Sequence, residues 1–149
     1  MPQRRPAEQP DDAARFRRTR DAHALETAED YVEAIAHLIE THGEARVRDL
    51  SRLMGVSHVT VSRIVARIAG EGLVELRPYK PLALTAAGKR LARRARERHE
   101  RVLAFLLAIG VGREQAQIDA EGIEHHVSEE TIRAMERIAA WRQPGGGAS

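Results

Sequence analysis

The chain has 149 residues, 42% apolar and 31% charged, which suits one ordinary domain or two small ones sharing a long element. It contains no cysteine, so disulfides, thiolate metal sites and thiol catalysis are excluded. The net charge of +2 hides a gradient: residues 1–40 carry 6 Lys/Arg against 9 Asp/Glu, residues 41–98 carry 13 against 5, and residues 99–149 carry 5 against 8. A basic middle between acidic ends points to a polyanion partner at the centre and another task outside it. A solvated, charge-rich surface would give the same totals. No run approaches the roughly 18 apolar residues of a membrane span. The N-terminus has Arg4 and Arg5 but no apolar stretch behind them, so neither membrane association nor a secretory signal is expected, and a cytoplasmic protein is.

Residues 1–22 are rich in Arg, Asp, Pro and Ala without apolar periodicity and read as a flexible arm. A first helix is predicted from about Thr27, as N-cap, to about Thr41, with Tyr31, Ile35, Leu38 and Ile39 as its apolar stripe and Gly43 beyond its end. A short helix over about 47–54 stops at Gly55. Ser57 caps a third, over about 58–70, whose Val61, Ile64, Val65 and Ile68 recur at i, i+3, i+4, i+7. Two strand-like runs, about 73–77 and 82–85, flank Pro78-Tyr79-Lys80-Pro81. Thr85 then caps a long helix to about Ile109, with Leu91, Ala95, Val102, Leu106 and Ile109 on one side. Helices over about 113–126 and 129–142 follow, the last capped by Ser128, and residues 143–149 read as a disordered tail. The fold class is mainly α, with one unit of helices and a hairpin over residues 23–88 and a second, helical unit over residues 89–142.

The order from Ala45 to Thr85, helix, glycine turn, helix and hairpin, is that of a winged helix-turn-helix. The free face of the second helix offers Ser57, Val59, Thr60, Ser62, Arg63 and Arg67. Hydroxyls can bond base edges, Arg63 can reach guanine or phosphate, and the Val59 methyls suit a thymine methyl. Arg77 and Lys80 stand at the hairpin tip. A purely structural three-helix core would share the order of elements, but its outer face would be expected to carry mainly Glu and Lys. RNA is disfavoured, because aromatics are only 3% and no stacking platform is visible.

A second constellation lies in Glu121-Gly122-Ile123-Glu124-His125-His126. On a helix Glu121, Glu124 and His125 share one face, where two carboxylates and an imidazole disfavour one another unless a cation sits between them. Asp30 and Glu33 form a similar i, i+3 pair on the first helix, and His99 lies inside the long helix. Each piece has a plainer account. Asp30 and Glu33 suit an exposed helix start, and His99 an ordinary helix histidine, so spacing alone leaves both readings open. A zinc metalloprotease fails, because the position after His99-Glu100 that needs histidine holds Leu103. A di-iron bundle fails for want of two Glu-x-x-His motifs. A carboxylate-bridged metallohydrolase would need an open coordination position and a substrate cleft. A metal-independent winged-helix regulator remains a further alternative.

Taken together, AEDYVEAIAHLI, GEARVRDLSRLMGVSHVTVSRIVARIAGEGLVE, LTAAGKRLA, RHERVLAFLLAIGV and DAEGIEHHVSEET resemble the diphtheria toxin repressor family of metal-dependent transcriptional regulators, and within it the manganese transport regulator branch. The resemblance covers about Asp30 to Arg142 and implies a winged helix-turn-helix DNA-binding domain over residues 23–88 and a helical metal-binding and dimerisation domain over residues 89–142. It implies a homodimeric, manganese-responsive repressor of manganese uptake genes, with no enzymatic activity and no small-molecule substrate, that binds a palindromic operator. An iron-responsive repressor of the same family is the alternative. The implied ligands are Asp30, Glu33, His99, Glu121, Glu124 and His125, holding two Mn²⁺ ions per subunit. Glu121 and Glu124 would be shared, with Asp30 and His125 on one ion and Glu33 and His99 on the other. Iron-responsive relatives place Met and Cys at the positions of Asp30 and Glu121. They also carry an SH3-like domain that the sequence, ending eight residues after Trp141, is expected to lack. The chain departs from the family at the wing, where Pro81 follows Lys80 in place of glycine.

Overall fold

The computed structural model describes residues 10–142, so residues 1–9 of the expected arm and the tail 143–149 lie outside the described residues. Six helices and one two-stranded hairpin follow in chain order: α1 (Pro10–His42), α2 (Val47–Met54), α3 (His58–Gly70), β1 (Val74–Glu75), β2 (Ala83–Leu84), α4 (Ala86–Ala108), α5 (Arg113–Ile123) and α6 (Glu129–Arg142).

The start of α1 differs most from expectation. Residues 10–22 are helical and continuous with the rest of α1, and Thr27 is no cap: its hydroxyl donates to the His23 carbonyl at 2.9 Å, inside the helix. Nothing after Pro10 stops the helix, since Ala, Arg and Glu are good helix formers and neither Gly nor a second Pro intervenes before Gly43. Periodicity was silent there because the segment packs on no core.

The other caps follow sequence. Gly55 closes α2 in the left-handed region at φ 67°. Ser57 accepts the Thr60 N–H at 3.2 Å, Thr85 accepts the Gly88 N–H at 3.0 Å, and Ser128 accepts the Thr131 N–H at 3.1 Å. The hairpin is shorter than expected, with Val74 opposite Leu84 and Glu75 opposite Ala83. Pro81 is accommodated: the preceding turn is closed by Lys80 N–H donating to the Arg77 carbonyl at 3.1 Å, and the Leu82 N–H donates to the Ala45 carbonyl at 2.8 Å. Tyr79 takes φ 60° in that turn, a slot glycine usually fills.

Two cores result. Val32, Ile35, Leu50, Val61, Val65, Ile68 and Val74 pack with Leu91 and Ala92. Val102, Leu106, Ala116, Ala120 and Ile132 form the second. Helix α4 feeds both, so the expected boundary between residues 88 and 89 falls inside it rather than in a linker. Ile109, expected on its apolar side, is exposed past the end of the helix. Among the described residues no helix is long and apolar enough to cross a membrane.

Candidate metal centre and nucleic-acid face

His99 lies on α4 between the residues that serve the first core and those that serve the second, so it stands at the seam. Asp30 and Glu33 reach the seam from α1; Glu121, Glu124 and His125 reach it from the end of α5. That end is not the continuous helix expected. α5 stops at Ile123, and residues 124–126 form a turn in which the His126 N–H donates to the Ile123 carbonyl at 3.0 Å. Arg98, one residue before His99, donates to the carbonyls of Glu124 and Val127 at 2.6 and 2.9 Å. Its guanidinium satisfies acceptors that a helix end leaves open, and so holds the turn against α4.

Glu124 is the centre of the cluster. Its side chain is only 3% exposed and sits between two imidazoles, with Oε2 2.8 Å from His99 Nδ1 and Oε1 3.3 Å from His125 Nε2. His125 Nε2 is also 3.3 Å from Asp30 Oδ1, and Glu121 Oε1 is 3.6 Å from His99 Nδ1. Donor atoms of His99, Glu121 and Glu124 all lie within 4.8 Å of one another. Glu33 Oε1 is buried without a hydrogen-bond partner. A cleft of about 360 Å³, lined by Asp30, Glu33, Arg96, His99 and Glu121, opens beside the cluster. His99, Glu121 and Glu124 thus form the tight group, His125 adjoins it through Glu124 and Asp30 through His125, and Glu33 lines the cleft beside it.

The electrostatics are those of a site short of positive charge. Burial, reinforced by Glu121, pushes the Glu124 carboxyl up to about 8 and the Glu33 carboxyl up to about 7. Asp30 is raised by burial against the opposing pull of His125. A hard divalent cation fits this set: the donors are oxygen and imidazole nitrogen, the carboxylates crowd one another, and a buried carboxylate oxygen has no partner.

Glu29 escaped the sequence reading. Its Oε2 lies 3.1 Å from His125 Nδ1, so both ring nitrogens face carboxylates. With the proton on Nδ1 donated to Glu29, Nε2 keeps its lone pair for an ion. The available signal was its position four residues before Glu33, on the same side of α1.

On the opposite side of the first core, the exposed face of α3 presents Val59 (79% exposed), Ser62 and Arg63. The Ser57 hydroxyl donates to Thr60 Oγ1 at 3.0 Å, so both hydroxyls already serve the helix cap. Arg67, one turn beyond Arg63, donates from Nη2 to the Ala24 carbonyl of α1 at 3.0 Å. At the wing Arg77 pairs with Glu75 at 3.2 Å, while Lys80 is exposed beside Tyr79, itself 99% exposed.

Two family profiles match this architecture in order. Residues 23–82 match the iron-dependent repressor N-terminal DNA-binding domain, and residues 85–140 match the iron-dependent repressor metal-binding and dimerisation domain. The chain belongs to the iron-dependent repressor family. It is 50% identical over 120 residues to the transcriptional regulator MntR of Escherichia coli (strain CFT073), covering 80% of this chain and 77% of that one. It is 39% identical over 104 residues to the HTH-type transcriptional regulator MntR of Bacillus subtilis (strain 168), covering 70% and 73%. Among solved structures it resembles T. acidophilum IdeR (TM-score 0.62, 31% identity, 73% of this chain and 52% of that one). It also resembles the manganese regulator SloR (TM-score 0.64, 26% identity, 74% and 52%). The chain spans about half the length of these two structures. Its relatives are DNA-binding regulators of transcription, not enzymes.

Proposed function

We propose that this protein is a manganese-responsive repressor that binds a palindromic operator as a homodimer in the cytoplasm. Asp30, Glu33, His99, Glu121, Glu124 and His125 would hold two Mn²⁺ ions per subunit. The observation that carries the reading is Glu124, buried between His99 and His125 at the seam between α1, α4 and α5. What a bound ion supplies there is positive charge against a cluster of desolvated carboxylates.

The chain's own residues turn that charge into a signal. Asp30 and Glu33 ride on α1, which packs in the core of the winged helix, whereas Glu121, Glu124 and His125 belong to the second unit. Without a cation these carboxylates repel, or hold protons at neutral pH. With one, the arrangement that brings α1 against the α5 turn is favoured, and the population shifts toward it. In a two-fold dimer that arrangement sets the spacing of two α3 helices, about 34–36 Å for successive major grooves. Val59, Ser62 and Arg63 then read bases, and Lys80 meets phosphate.

Iron is the second reading, favoured by the iron-dependent description of both matching profiles. The donor set weighs against it: carboxylate oxygens at Asp30 and Glu121 suit the harder ion, and none of the six ligands is sulfur. The test is anaerobic titration of binding to genomic fragments with Mn²⁺ and with Fe²⁺, read by sequencing. Retention of a discrete fragment set at lower Mn²⁺ than Fe²⁺ is expected. DNA binding indifferent to either metal would remove the reading.

A further inference from the structure

We propose that the part of α1 ahead of the winged helix is a second DNA-contacting element, in which Arg17 and Arg20 grip the phosphate backbone beside the groove that α3 enters. The proposal rests on the reading of α3 as the recognition helix. The shared DNA-binding unit begins at residue 23, so this segment lies ahead of it. Between residues 12 and 22 it carries Arg15, Arg17, Arg18 and Arg20 against Asp12 and Asp21, all exposed. Among the described residues, none of the four arginines is in an ion pair.

A charged helix in solvent needs no partner, so position has to decide. The contact between Arg67 and Ala24 supplies it. Val59, Arg63 and Arg67 recur at steps of four, so Arg67 continues the outer stripe of α3 by one more turn, and its guanidinium ends on α1. Helical spacing puts Arg17, Arg20 and Ala24 on one side of α1, at i, i+3 and i+7. Arg20 lies about 6 Å and Arg17 about 10 Å along the axis from Ala24, at 1.5 Å per residue, and side chains lean toward the N-terminus, beyond the footprint of α3.

The dimensions match a duplex. The major groove is about 12 Å wide and an α-helix with its side chains about 10–12 Å, so a helix seated in it has a phosphate strand along each flank. Packed helices run about 8–10 Å apart. An element held by the last residue of that stripe therefore lies beside a phosphate strand, not over base edges. Arginine suits phosphate there, and the contact would add affinity without sequence preference.

The full chain with MnCl₂ is titrated with a mixed-sequence duplex between about 50 and 200 mM salt, comparing wild type, Arg17→Ala/Arg20→Ala, Arg17→Lys/Arg20→Lys and Lys80→Ala. Each lost phosphate contact lowers the slope of log K against log salt by about 0.9, so the double alanine variant is expected to be shallower by about 1.8 per bound protomer. Alanine keeps the helix, as circular dichroism verifies, and the lysine variant restores the slope because it restores the charge. Coincident slopes for the double alanine variant and wild type, with Lys80→Ala still shallower, would overturn the proposal alone. Failure of wild type to bind the duplex would overturn it together with the reading of α3.

Discussion

His125 Nε2 stands 3.3 Å from Asp30 Oδ1, across 95 residues of sequence, and joins the turn after α5 to the helix that underlies the winged helix. The same nitrogen is 3.3 Å from Glu124 Oε1, so one imidazole edge meets a carboxylate from each unit. A cation bound at this edge draws on both units at once, which is the requirement for a ligand to bias their relative arrangement.

Glu124→Gln tests that dependence with little change of shape. Removing a carboxyl that burial holds up to about 8 relieves the metal-free protein, so its thermal midpoint is expected to hold or rise. The stabilisation by Mn²⁺ is expected to vanish; for a competent site it reaches about 2.7 kcal/mol at a hundredfold excess over the dissociation constant. Scanning calorimetry of both proteins with and without MnCl₂ checks this, and an undiminished Mn²⁺ shift in the variant would remove Glu124 from the site.

Glu29 touches His125 from the far side of the ring, so Glu29→Ala is expected to leave the fold intact and weaken Mn²⁺ affinity about 10–100-fold. Competitive titration against a fluorescent chelator measures it. Unaltered affinity would mean that packing alone orients the ring.

The raised carboxyls also set a pH dependence for the metal-free protein. Glu33 and Glu124 hold their protons in the folded state up to about 7 and about 8, against an ordinary value of 4.5. Between those values the folded state binds more protons than the unfolded one, so stability falls as pH rises from about 4.5 to about 8. Glu129 and Glu136, lowered chiefly by hydrogen bonds from Arg101, act in the opposite sense, and their contribution is lost only as pH falls below the ordinary range. Denaturant unfolding of chelator-treated protein is expected to show a lower midpoint near pH 8 than near pH 6. Glu124→Gln should flatten the trend.

Gly88, in the first turn of α4, is a packing position. A Cβ there would collide with the Leu73 carbonyl oxygen and crowd Leu84 at 3.3 Å, where the hairpin lies against the helix. Gly88→Ala is therefore expected to destabilise by about 1–3 kcal/mol despite the better helix propensity of alanine. Chemical denaturation checks it, and a stabilised variant would show that hairpin and helix can separate freely.

Local chemistry is what the sequence alone determines here. Ser57, Thr85 and Ser128 cap their helices because a hydroxyl three residues ahead of a free N–H needs no tertiary partner. Gly55 turns the chain because its backbone tolerates a positive φ. The apolar stripes of α1 and α3 name their buried faces, and the resemblance to the family, not spacing alone, names the six candidate ligands. Other features needed the third dimension. Residues 10–22 carry no apolar stripe, so local propensity makes them helical and their continuity with the rest of α1, which Arg67 reaches at Ala24, places them. The end of α5 is decided by Arg98 on α4, whose guanidinium takes carbonyls 26 and 29 residues away. Glu29 becomes a partner of His125 only when α1 meets the α5 turn, because no spacing along the chain encodes an approach between elements 96 residues apart.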